Sequence, residues 1–265
     1  MRKLLATAAA MAPLVAATGV QAEVVISNAR TTPILTANAT GTAPDNIRLA
    51  NGGSIAVTSG AAVTLNSNHT GILVNGGNTG SVTVGGAISI TDSLEDADHK
   101  DTDGDGDLDG PFAAGTNRHG LRVAGATPFI GDITVESTGS ISVEGNQSYG
   151  IRVESDLQGD LQNLGAIVVT GNESYGIRVQ GDVSGDVEIL GSVGTRGEGS
   201  TGVSLEGDVT GAVKLQGAIT STGYRYTTAP NPKPTTGTVN EGNLYLEDLD
   251  ADDLLQGGPA VAIAG

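Results

Sequence analysis

The densest chemistry in this sequence lies at 98–110, D-H-K-D-T-D-G-D-G-D-L-D-G. Asp101, Asp103 and Asp105 fall at the first, third and fifth ligand places of a Ca2+ loop. Gly106 takes the sixth, where such a loop turns sharply, Asp107 the seventh, where a backbone carbonyl serves, and Asp109 the ninth. Carboxylates this closely spaced repel one another unless a cation neutralises them, and hard oxygen ligands suit Ca2+. A helix–loop–helix sensor has a bidentate Glu at the twelfth place, and here that residue is Phe112. The spacing therefore fits a shortened D-x-D-x-D-G loop with a structural Ca2+. The competing reading is a solvated acidic insertion.

Other candidate groups point away from catalysis. Arg122, Arg152 and Arg178 each stand third in a G-x-R-V unit, and alternation from the apolar neighbours places them on a solvent face, with Glu144, Glu154 and Glu173 as available partners. Asn146 and Asn172, with Asn117 offset, share one turn position and suit a stacked hydrogen-bonding column, and Tyr149 and Tyr175 stack beside them. His69, His99 and His119 share no metal-ligand spacing, and no Ser-His-Asp order stands out. Gly-rich stretches lack the Lys-Ser/Thr of a nucleotide-binding loop. The N-x-S/T tripeptides at Asn38, Asn68, Asn146 and Asn172 arise readily in a chain so rich in Asn and Gly.

The elements that must position these groups repeat. Gly150-Ile151-Arg152-Val153 recurs as Gly176-Ile177-Arg178-Val179 and, more loosely, as Gly202-Val203-Ser204-Leu205, each 26 residues on. Gly120-Leu121-Arg122-Val123 lies 30 residues upstream of Gly150, and Gly71-Ile72-Leu73-Val74 further back. Within a unit apolar and polar residues alternate at period two, and Gly, Asp, Asn and Ser punctuate every few residues. No stripe of helical period runs through a repeat. Three short strands per unit predict an all-β chain, a right-handed parallel β-helix of ~26-residue coils, with an antiparallel sandwich as the alternative. Coils stack at ~4.8 Å, so five or six make a rod of roughly 25–30 Å. The divisions expected are a leader over 1–22, an N-terminal cap over 23–50, and coils over 51–265 interrupted by insertions at 92–116 and 224–258. The second insertion carries Pro230, Pro232 and Pro234, then an acidic run expected as a short helix packed through Leu249, Leu254 and Leu255.

Composition agrees with this architecture. The 265 residues include 41 Gly, no Cys and no Trp, and aromatic residues make up 3%. Narrow coils favour small aliphatic side chains, and stability must come from backbone pairing and stacking without disulfides. The formal charge of -17 argues against nucleic acid as a partner. Half of the 30 acids fall in the two insertions, which leaves the coils close to neutral on this reading. Residues 1–22 have Arg2 and Lys3 followed by a Leu- and Ala-rich run ending Val20-Gln21-Ala22, the order of a cleavable secretory signal. No other run reaches membrane-spanning length.

On its leader, its G-I-R-V units preceded by N-Q-S-Y and N-E-S-Y, and its lack of Cys, the chain over about 50–265 resembles the passenger region of bacterial autotransporters. That resemblance implies Sec-dependent export, display on the outer surface of a Gram-negative cell, and outer-membrane attachment through a C-terminal β-barrel. No barrel strands are recognisable here. The chain stops at Pro259-Ala260-Val261-Ala262-Ile263-Ala264-Gly265, read as the first strand of another coil, so the resemblance is to an N-terminal fragment. The function expected is that of a monomeric, non-catalytic scaffold or adhesin-like module, with a surface or matrix ligand of unknown identity. The enzyme alternative is a secreted polysaccharide-degrading lyase or hydrolase, since such lyases on this fold line a groove with basic residues and Ca2+-binding acids.

Overall fold

The computed structural model describes residues 23–41, 43–57, 67–91, 113–223, 230–239, 245–249 and 257–264. The leader 1–22, the residues Asp101, Asp103, Asp105, Asp107 and Asp109, and Leu254 and Leu255 lie outside the described residues.

The chain winds through seven coils. The first holds β1 (Glu23–Ile26), β2 (Ala29–Arg30) and β3 (Ile34–Leu35), and the second β4 (Asn46–Leu49), β5 (Ser54–Ala56) and β6 (Thr70–Asn75). The third has β7 (Val82–Val84), β8 (Ala87–Ile90) and β9 (His119–Ala124), followed at a corner by β10 (Phe129–Ile130). The fourth has β11 (Ile133–Val135), β12 (Ser140–Glu144) and β13 (Tyr149–Val153), then the corner strand β14 (Leu157–Gln158). The fifth has β15 (Leu161–Asn163), β16 (Ala166–Thr170) and β17 (Tyr175–Val179). The sixth has β18 (Val187–Ile189), β19 (Ser192–Arg196) and β20 (Thr201–Leu205), and the seventh β21 (Val213–Leu215), β22 (Ile219–Thr222) and β23 (Val261–Ile263).

Corresponding strands stack into three seven-stranded sheets, every pair of them parallel. The first sheet runs β1-β4-β7-β11-β15-β18-β21, the second β2-β5-β8-β12-β16-β19-β22, and the third β3-β6-β9-β13-β17-β20-β23. This is a right-handed parallel β-helix, and the parallel pairing throughout excludes the antiparallel sandwich. Seven coils rather than five or six are present because 23–35, within the segment expected as a cap, itself forms a coil in register with the next.

The 26-residue period is the register: Ile151 pairs with Ile177 and Ile177 with Val203, while Leu161 pairs with Val187 and Val187 with Val213. The longer interval from Gly120 to Gly150 is absorbed at corners. Phe129 pairs with Leu157, 28 residues on, although Tyr149 and Tyr175 stay 26 apart. The core is a set of aliphatic columns running along the rod, such as Ile72, Leu121, Ile151 and Ile177, each 0% exposed. Each buried Ile or Val contributes roughly 1.5–3 kcal/mol by leaving water. Asn163 breaks one column. It stands between Val135 and Ile189, fully buried, with no partner for either side-chain polar atom.

The terminal run 259–264 is not the first strand of a further coil. β23 pairs with β20 in the third sheet, Val203 against Val261, and so completes coil seven. The chain leaves that coil after β22 in the second sheet, and whatever follows the insertion must rejoin at the third.

Candidate functional site

The long interruptions of the coils leave from one corner, between the second and third sheets. In coils four, five and six that corner is a four-residue turn: 145–148, 171–174 and 197–200. In coil two it stretches from Ala56 to Thr70, in coil three from Ile90 to His119, and in coil seven from Thr222 to Val261. Both insertions expected from the sequence, 92–116 and 224–258, thus emerge on the same edge of the rod, with a third, shorter one at 57–69. The Ca2+-loop spacing Asp101–Asp109 belongs to the coil-three departure. Of the coil-seven departure, 230–239 and 245–249 are described. They include a short 3-10 helix, Leu246–Asp248, and Lys233 pairs with Asp248 at 3.5 Å.

Where the turn is short it is a tightly bonded column. The Asn146 carboxamide oxygen accepts the Asn172 N–H at 2.8 Å, and that of Asn172 accepts the Glu198 N–H at 2.9 Å. Asn146 also donates through Nδ2 to the Ala113 carbonyl at 2.6 Å. The stacked Asn side chains therefore bond to backbone, not to one another. Among the described residues only the offset Asn117 bonds an Asn side chain, donating to Asn68 Oδ1 at 2.6 Å. A serine column, not foreseen from the sequence, completes the turn. Ser148 and Ser174 N–H groups donate to Ser174 and Ser200 Oγ, each at 3.0 Å. The available signal was Ser two places after both Asn146 and Asn172. In the fifth place of the turn-and-strand unit, Gly150 and Gly176 face inward. A Cβ on either would strike the Ile167 or Val193 side chain of the second sheet and the carbonyl of the glycine one coil above.

The second residue of the turn adopts left-handed backbone in coils three to six: Asn117 at φ 55, Gln147 at 49, Glu173 at 54 and Gly199 at 66. Its side chain stands on the surface, and Gln147 Nε2 donates to Glu173 Oε2 at 2.8 Å. Next to it runs an aromatic column. His119 stacks on Tyr149 with centroids 5.0 Å apart, and Tyr149 on Tyr175 at 5.6 Å. His119 is buried with neither ring nitrogen bonded. Desolvation, reinforced by the nearby charges of Arg122 and Arg152, lowers its pKa to about 3. It is a packed, neutral ring and not a proton donor or base near neutrality.

The arginine column lies on the outer face of the third sheet as expected, but its partners differ in part from the acids the sequence suggested. Arg122 binds Glu154 at 2.8 Å, Arg152 reaches Gln180 at 3.0 Å and Glu154 at 2.8 Å, and Arg178 grips Glu206 at 2.7 Å. The residue that serves lies in the next coil, just past the strand end. Arg152 and Arg178 also sit over the Tyr149 and Tyr175 rings at 4.4 and 4.5 Å. The hydrogen bonds from Arg178 hold the Glu206 carboxyl below the usual range and raise the guanidinium. A polysaccharide-cleaving cleft needs acids and bases left free to converge on substrate, and these arginines are each committed to a neighbour.

Along the strand-to-strand turns that lead into the first sheet stand two columns of aspartates. Asp132, Asp160 and Asp186 each accept a backbone N–H of the coil above, at 2.7–2.9 Å, and Asp156 and Asp182 do the same at 3.1 and 2.9 Å. The coils are therefore not near neutral, because each such turn caps its neighbour with a carboxylate. Among the described residues no group of three or more His, Cys, Asp or Glu is placed to hold a metal ion.

A groove of about 420 Å3 runs over the second-to-third-sheet corner, lined by Asn117, Gln147, Tyr149, Glu173, Tyr175, Arg178 and Gly199. It spans coils three to six, between the departures of the two large insertions. Among the described residues no helix is long and apolar enough to cross a membrane. No protein-family model matches the chain, and no curated protein or solved structure matches it significantly. What fold and site define is a class: a parallel β-helical solenoid whose long insertions leave from one corner.

Proposed function

We propose that the chain is a secreted, surface-displayed β-helical passenger, a non-catalytic scaffold with an adhesin-like role. The observation that carries this reading is the single corner from which all long insertions leave. A rod regular on its other sides and elaborated on one edge suits presentation of loops to the surroundings, since solenoids place insertions on one face, often the binding face. Export through the leader 1–22 and attachment to a Gram-negative outer membrane through a C-terminal barrel belong to the same proposal. Antibody raised against residues 113–223 stains intact producing cells, and added protease removes the signal without lysis. Staining only after permeabilisation overturns the reading.

Within this proposal the coil-three insertion binds Ca2+ through Asp101, Asp103 and Asp105, with Asp107 contributing its carbonyl and Asp109 the ninth place. The ion neutralises carboxylates that otherwise repel and orders the insertion against the rod. Isothermal titration of the purified chain gives heat at millimolar Ca2+ that Asp103→Ala removes. Absence of heat, or heat indifferent to that substitution, contradicts it.

A further inference from the structure

We propose that the corner groove of coils three to six is a binding site for a linear, neutral glycan lying along the rod. This deepens the adhesin-like reading by naming a ligand class and rests on it only for biological context.

The first argument is backbone strain. A left-handed conformation costs a residue with a side chain roughly 1–2 kcal/mol, and glycine avoids it. Coil six uses Gly199 at this place, so the turn closes well without a side chain. Coils four and five nevertheless carry Gln147 and Glu173 there, both exposed, at φ 49 and 54. Strain kept at a surface position, where packing does not require it, points to the side chain itself.

The second argument is what the groove offers. Backbone amides at this corner are already taken: Asn117, Gln147 and Glu173 N–H donate to the Asn146, Asn172 and Glu198 carbonyls at 2.7–3.0 Å. Among the described residues this corner offers no free strand edge to an extended peptide, so recognition here must come from side chains. Those present are carboxamides, a carboxylate, a tyrosine hydroxyl and a guanidinium. Glu173 spends one oxygen on Gln147 and leaves the other, and Tyr175 lines the groove beside Arg178. Acceptors and donors set side by side match the vicinal hydroxyls of a sugar.

Charge and period narrow the class. Arg178 is held by Glu206, and the groove carboxylate of Glu173 is bonded by a neutral amide that leaves its charge in place, which disfavours an anionic polymer. The polar turn residue with its neighbouring tyrosine occurs in coils four and five, ~4.8 Å apart, close to the length of one pyranose ring in a linear chain.

The purified chain is applied to a printed panel of linear neutral oligosaccharides long enough to span three coils, with acidic oligosaccharides and extended peptides printed beside them. A neutral glycan is retained. By titration, Glu173→Ala and Tyr175→Phe each weaken its binding roughly ten-fold or more, the loss expected for a bond to a charged or oriented polar group. Tyr175→Phe keeps the ring stack, so a merely structural role leaves binding unmoved, and Gln162→Ala on the first sheet changes nothing. Retention of no neutral glycan, preference for acidic glycans or peptides, or binding indifferent to both variants overturns the proposal. The measurement uses purified protein, so its failure leaves the surface-display reading to its own test.

Discussion

His119 shows how a single residue records its place in the rod. It occupies the position that Tyr149 and Tyr175 fill in the next coils, stacked and cut off from water. An imidazole normally titrates near 6.5, and burial first, then Arg122 and Arg152, bring this one to about 3. Between those values the unfolded chain binds a proton that the folded chain refuses. Stability from this site is therefore complete above pH 6.5 and lost as pH falls toward 3. At about pH 4.5 the cost is roughly 2–3 kcal/mol relative to neutrality. Urea unfolding at the two pH values shows His119→Tyr losing that much less than the parent chain; equal acid losses contradict the assignment.

At the scale of elements, the turn-and-strand unit N-x-S-x-G-x-R-V is the device that aligns coils. Its glycine is required by packing: a Cβ at Gly176 meets the Val193 side chain and the Gly202 carbonyl oxygen. Gly176→Ala costs about 1–3 kcal/mol, the range for overpacking a filled core. Gly199→Ala, with nothing nearer than Glu173 Cγ at 3.9 Å, costs only the left-handed backbone term of about 1 kcal/mol. Thermal unfolding of both checks this, and a Gly176→Ala rod as stable as the parent contradicts it. Much of this unit was legible in the sequence, because repetition puts Gly, Arg and the inward Ile and Val at a constant spacing. The serine column was missed because Ser in a turn reads as punctuation, and its Oγ bonds depend on a neighbour 26 residues away. The partners of the arginines were misjudged in part for a related reason: Gln180 and Glu206 are neighbours only through the coil above. The groove combines residues from four coils, and no local motif announces it.

For the whole molecule, the constant register gives each corner of the rod its own chemistry. Aspartates cap successive turns on the approach to the first sheet, while insertions and the groove share the opposite passage from second to third sheet. The charge is therefore not confined to the insertions, as the sequence suggested, since Asp turns recur along coils four to six. Glu188 pairs with Lys214 and accepts from Gln162 on the first sheet, and these bonds lower its carboxyl. The account depends on one geometric claim, that residues 26 apart lie side by side on adjacent parallel strands. The chain contains no cysteine, so introduced pairs can be read without interference. Gln162 pairs with Glu188 and Glu188 with Lys214, whereas Gln162 and Lys214 are two coils apart, at about 9–10 Å and beyond disulfide reach. Mild oxidation followed by mass spectrometry closes a disulfide in the double variants Gln162→Cys with Glu188→Cys and Glu188→Cys with Lys214→Cys, and leaves Gln162→Cys with Lys214→Cys open. Closure of the last pair with failure of the first two contradicts the register and everything built on it.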